Sequence, residues 1–227
     1  MRVHFHKELD SLKKRILSLG AMVEDRVRMA IKAIETEDSS LAEKIIEADS
    51  EVDETEVEIE EECLKTLALH QPVAVDLRFI TAVIKINNDL ERIGDEAVNI
   101  AQRVVVMAKR DNIDPVFDYS YMAEKAEHML RKSLDALVNL DLDLALKVCL
   151  MDDEVDAMRD EVYDIVKNSL FDNRDYFGYL INLLLISRHL ERIADYATNI
   201  AEEVIYMVEG EIVRHGKLTP HLKDHHT

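Results

Sequence analysis

Asp89-Leu90-Glu91-Arg92-Ile93-Gly94-Asp95-Glu96-Ala97-Val98-Asn99-Ile100-Ala101 returns one hundred residues later as His189-Leu190-Glu191-Arg192-Ile193-Ala194-Asp195-Tyr196-Ala197-Thr198-Asn199-Ile200-Ala201, with nine of thirteen positions identical at an offset of 100. Upstream the offset is 103: Leu41-Ala42, Asp49 and Glu51-Val52-Asp53 lie over Leu144-Ala145, Asp152 and Glu154-Val155-Asp156. The change in offset falls in the connection that reads His70-Gln71-Pro72-Val73-Ala74-Val75-Asp76 in the first copy. A long self-similarity of this kind marks one supersecondary unit used twice. Each copy has roughly the length of a small domain.

Within each copy apolar residues recur at three and four. Val83, Ile86, Leu90, Ile93, Ala97, Ile100, Val104 and Met107 form one seam, and Leu183, Ile186, Leu190, Ile193, Ala197, Ile200, Val204 and Met207 form its counterpart. That alternation is the a/d pattern of packed antiparallel helices. It predicts six long helices, over about 7–35, 39–69, 72–110, up to 139, 141–170 and 175–209. Ser39 or Ser40 suits the cap of the second, because a short hydroxyl satisfies an orphan N–H. Pro72 suits the first turn of the third. The expected fold class is therefore all-α, two tandem three-helix bundles related by an internal repeat. The units are residues 1–112 and 113–215, divided near Asp111 to Pro115, with a tail over 216–227.

Composition agrees. Five glycines and three prolines in 227 residues leave little turn chemistry for a sheet protein. The 48% hydrophobic content is enough for a core, and the absence of tryptophan fits an aliphatic seam. Twenty-eight basic against 47 acidic residues give a net charge of −19, which opposes binding to nucleic acid or to anionic lipid and favours cations. Cys63 and Cys149 make no disulfide framework and read as reduced thiols. The apolar stretch from Tyr179 to Ile186 is far below the roughly 20 residues of a membrane span. The N-terminal MRVHFHKELDSLKKRI has no apolar targeting core. The expectation is a cytoplasmic protein.

The chemistry-bearing residues are carboxylates. Glu91, Asp95 and Asn99 stand at i, i+4 and i+8, as do Glu191, Asp195 and Asn199, each triplet on one stripe turned away from the seam toward the outer face. Asp49 and Asp53 on the second helix, and Asp152 and Asp156 on the fifth, repeat the i, i+4 spacing. Like carboxylates so spaced repel, and an oxygen-rich set suits magnesium, calcium, manganese or iron better than structural zinc. An ordinary solvated acidic face is the competing reading. There is no Glu-x-x-His pair, phosphate-binding glycine loop or nucleophile motif, so catalysis has no support. His70, His128 and His189 are isolated and read as surface or packing residues; His221, His225 and His226 crowd the tail.

Three strings together resemble one family: Gln71-Pro72-Val73-Ala74-Val75-Asp76-Leu77-Arg78; Asp89 to Asp95; and Leu190-Glu191-Arg192-Ile193-Ala194-Asp195 continuing to Tyr206. The chain resembles PhoU, the phosphate-specific transport system accessory proteins, from Leu9 to His215. The resemblance implies a negative regulator of phosphate uptake and of phosphate-starvation signalling that works by protein–protein binding and is frequently a dimer. It implies two partners, the sensor histidine kinase of the phosphate regulon and the ATPase subunit of the phosphate ABC transporter. It also implies multinuclear metal, iron among others, on acidic i, i+4 motifs, which map onto Asp49 and Asp53, Glu91 and Asp95, Asp152 and Asp156, and Glu191 and Asp195. The chain departs from the family pattern at Tyr196, where histidine is common, and in Phe171-Asp172-Asn173-Arg174-Asp175, which lacks the Gln-Pro connection. A helical co-chaperone or adaptor docking on an ATPase is the alternative, and a metal-dependent enzyme a more distant one.

Overall fold

The computed structural model describes residues 2–109, 117–172 and 176–213. The expected unit boundary at Asp111 to Pro115 and the tail 216–227 lie outside the described residues. Seven helices appear among the described residues: α1 (Arg2–Thr36), α2 (Ser39–Glu47), α3 (Asp49–His70), α4 (Ala74–Met107), α5 (Ser120–Asn139), α6 (Leu142–Asp172) and α7 (Phe177–Glu209). Helices α1, α2 with α3, and α4 make the first three-helix bundle, and α5, α6 and α7 the second. The two bundles join mainly where α4 packs on α7. Lys85 meets Glu203, Asp89 meets Asn199, and Glu96 meets His189, so these two helices run antiparallel.

Both seams are core. Val83, Ile86, Leu90, Ile93, Ala97 and Ile100 are fully buried, and Leu183 through Val204 are likewise buried along α7. Met107, in the last turn of α4, is half-buried. Burial of such aliphatic surface, at about 25 cal/mol per Å2, is what drives the bundles together.

The helix ends differ from expectation in instructive ways. The cap of α2 is Asp38, not Ser39 or Ser40: its carboxylate accepts the Leu41 N–H at 3.0 Å. Asp141 does the same for Leu144 at 3.0 Å, so the cap repeats at the offset of 103. A carboxylate at a helix N-terminus adds attraction to the helix dipole, which a serine hydroxyl lacks. Pro72 stands before α4 rather than in its first turn, because α4 starts at Ala74 after Gln71 ends α3 in the left-handed conformation. The single long second helix is two segments hinged at Ala48, whose ψ of 6° departs from helix. The hinge makes Asp49 the first residue of α3, and Asp49 and Glu51 lie in its first turn, where negative charge suits the dipole. The equivalent α6 runs unbroken. At the end of α7 the chain turns through Gly210 at φ 77°, a conformation that favours glycine, against the Arg78 guanidinium.

Candidate metal centre

The carboxylate stripes do not point to open solvent. Helix α4 is packed by α1, α2, α3 and α7, which leaves it no wholly free face, and Glu91, Asp95 and Asn99 are half-buried. The acidic residues of α3 and α4 face one another. Burial, then the neighbouring Asp95, raises the Glu91 carboxyl above its ordinary range, with Asp53 and Glu56 adding to it. Burial, then Asp49 and Asp53 from the facing helix, raises Asp95. Asp49 rises through burial and Asp53, opposed by Arg26.

The second repeat is more tightly drawn. Asp156 of α6 and Glu191 and Asp195 of α7 each offer an oxygen, and these oxygens lie within 4.8 Å of one another. Oxygens so placed converge closely enough for one ion with bonds of about 2.0–2.6 Å after small rotamer changes. Asp152 is half-buried beside them, raised by burial and receiving the Thr198 hydroxyl at 3.2 Å. Asn199 is exposed and donates toward Asp89 at 3.5 Å, away from the trio. Among the described residues the first repeat shows no matching trio.

Asp195 carries the largest resolved carboxylate shift of the group, pushed up to about 7 by burial, then by Glu191, Asp152 and Asp156, with Arg159 opposing. A raised carboxyl holds its proton better folded than unfolded. Its stabilisation is complete below the ordinary aspartate range and is lost as pH rises through about 7. Ion-free protein is therefore expected to lose melting temperature between about pH 4 and pH 7, and Asp195→Asn to flatten that slope, as thermal melts across pH will show. A cation bound there would take the place of the proton, so any stabilisation by added manganese is expected to be larger at the upper end of this range.

Several residues around the site were not singled out from sequence. Glu56 faces Glu91, and its side chain accepts from Asn87 Nδ2 at 3.2 Å. Arg159 lies against Asp156 and Glu191. Both extend their aspartate pairs by three residues, a spacing that would have exposed them. Between the sites, the Glu96 carboxylate, only 3% exposed, has His189 Nδ1 at 2.6 Å and Arg192 at 2.9 Å. Arg192 also donates to the Tyr196 hydroxyl at 2.8 Å. His189 and Glu96 are positions at which the two copies differ, so this tie occurs once. His70 pairs with Glu8 at 2.6 Å. Both cysteines are free; Cys63 is buried and Cys149 half-buried, and burial pushes each thiol up to about 12. No helix among the described residues is long and apolar enough to cross a membrane.

Comparison with known proteins decides the family. The model of the PhoU domain matches residues 16–104 and again 120–204. The chain belongs to the PhoU family. A phosphate-specific transport system accessory protein PhoU homolog of Clostridium acetobutylicum is 35% identical over 92% of this chain and 96% of its own length. The homolog of Pseudomonas aeruginosa is 37% identical over 95% of this chain and 89% of its own. The crystal structure of PhoU from Pseudomonas aeruginosa superposes with a TM-score of 0.88 at 35% identity, covering 91% of this chain and all of that one. A phosphate transport system regulatory protein PhoU from Streptococcus pneumoniae gives 0.82 at 30% identity, over 93% of this chain. These relatives are accessory or regulatory proteins of phosphate transport, and the chain has the general PhoU-type regulatory role.

Proposed function

We propose that the protein restrains phosphate uptake and phosphate-starvation signalling by binding the phosphate-regulon sensor kinase and the transporter ATPase subunit, with metal ions on its acidic helix faces organising the contact. The observation that carries the metal part is the convergence of Asp156, Glu191 and Asp195 oxygens within 4.8 Å. An all-oxygen, strongly anionic donor set fits manganese, magnesium, calcium or iron. In this reading Asp152 adds to the second-repeat group, which Asn199 would join only by leaving Asp89, and Asp49, Asp53, Glu91, Asp95 and Asn99 form the first. Metal there supplies positive charge that neutralises mutual repulsion and offers open positions to an acidic partner group.

The chain's own residues do the rest. The antiparallel α4–α7 packing joins the two repeats, and the tie of the buried Glu96 carboxylate to His189 and Arg192 spans them. A regulator shifts a partner only by its difference in affinity for two conformers; a tenfold preference needs about 1.4 kcal/mol. The two repeats act as units 1–112 and 113–215, with 216–227 as a tail, and a homodimer would present each face twice.

Co-purification with the ATPase subunit and with the cytoplasmic part of the kinase tests the partners. Capture of either with manganese present, and loss of capture with chelator, is expected. Equal capture with and without metal would leave a plain adaptor, the alternative reading.

A further inference from the structure

We propose that Arg159 is a tethered counter-cation lodged in the second-repeat acidic group, which a metal ion must displace, so that the two repeats bind metal with unequal affinity. The inference rests on the metal reading above and concerns a residue outside the acidic motifs.

The geometry is direct. The Arg159 guanidinium lies 3.4 Å from Glu191 Oε1 on α7 and 3.6 Å from Asp156 Oδ1 on α6. It thus spans two of the three carboxylates whose oxygens converge, and its Nε is 3.2 Å from Asp160 Oδ1. A positive group bridging two helices draws their carboxylates together. The same carboxylates are ligands an ion needs. For an ion to take both oxygens, the guanidinium has to leave them, and Asp160 offers it a place to stay.

The first repeat is built differently. The offset of 103 places Glu56 where Arg159 stands, a carboxylate in place of a cation. The first group is therefore two charge units more negative at this position and lacks a bridge across its two helices among the described residues. Its arginines oppose the charge without bridging α3 to α4 among the described residues: Arg92, on α4 itself, acts on Glu91 and Asp95, and Arg26 of α1 lies 3.9 Å from Asp49 and 3.8 Å from Glu51. Without a bridging cation the carboxylates of α3 and α4 stand apart under their own repulsion, consistent with the absence of a converged trio there among the described residues. The first group is thus open, and the second is partly offset by its own cation. As metal concentration rises, the first fills before the second, and filling the second releases an arginine to the surface.

Manganese titration of the full-length chain by calorimetry tests this with one group disabled at a time. In a Glu91→Ala, Asp95→Ala background, Arg159→Gln should tighten manganese binding about five- to tenfold, the scale of one or two exposed ion pairs. In a Glu191→Ala, Asp195→Ala background, Glu56→Arg should weaken it by a similar factor. Circular dichroism confirms that each variant is folded. Arg159→Lys, which keeps the charge on a shorter reach, should fall between wild type and Arg159→Gln. Unchanged or weaker binding on Arg159→Gln would overturn the counter-cation role while leaving the metal reading intact. No manganese binding in either Arg159 protein of the first background would overturn both the counter-cation role and the metal reading of the second group.

Discussion

Ile193→Ala is expected to destabilise the protein by about 2–5 kcal/mol, and Ile93→Ala by a similar amount, in equilibrium denaturant melts. Both side chains are fully buried at matching positions of α7 and α4. Truncation removes three buried carbons and leaves a cavity that two long, multiply packed helices cannot easily close. The two losses should be similar in size. Helix α7 packs on α6, α5 and α4, and α4 packs on α1, α2, α3 and α7, so neither backbone is free to close the gap. Val106, 41% exposed on α4, is the matched control, and Val106→Ala should change stability by under about half a kcal/mol. A loss at Ile193 no larger than the control's would mean that the seam is not the core.

The second large effect is expected from Glu91→Ala, Asp95→Ala, Glu191→Ala, Asp195→Ala. In wild type, an ion at about one hundred times its dissociation constant stabilises the folded state by about 2.7 kcal/mol per site. In a chain of this size that is a rise in melting temperature of about 5–10 °C per site. The fourfold variant should lose this metal-dependent rise. Its ion-free form should melt no lower than wild type, because removing half-buried carboxylates with raised pKa values relieves repulsion. Glu8→Ala, at a residue ion-paired with His4 and His70 and outside both acidic groups, should keep the full rise. In cells the fourfold variant should fail to repress a phosphate-starvation reporter. Full repression by a folded fourfold variant would reduce the acidic faces to solvated surface.

Much of the architecture was legible because the signals that specify it are local. The spacing of Val83 to Met107 and of Leu183 to Met207 encodes which side of a helix is apolar, and nothing elsewhere in the chain has to be known to read it. The repeat at offsets of 100 and 103 told that two such units exist. The capping by Asp38 and Asp141 was equally local, yet serine and aspartate compete for that role and only the observed bond to Leu41 separates them. The hinge at Ala48 left no trace in periodicity, because a ψ change at one alanine barely disturbs the run of apolar positions around it.

The candidate site divides along the same line. Sequence alone determined the two bundles, the acidic pairs Asp49 with Asp53, Glu91 with Asp95, Asp152 with Asp156 and Glu191 with Asp195, and the family resemblance, since each is a matter of residue type at short spacing. It did not determine that the stripes are half-buried and face a neighbouring helix. That depends on how far each helix is rotated about its axis once α3 lies on α4 and α6 on α7. Nor did it determine that Arg159 bridges Asp156 to Glu191, that Asn199 turns to Asp89, or that Glu96 binds His189 from 93 residues away. Charge pairing across helices depends on distances of a few ångströms between residues remote in sequence, and only packing of the seams sets those distances.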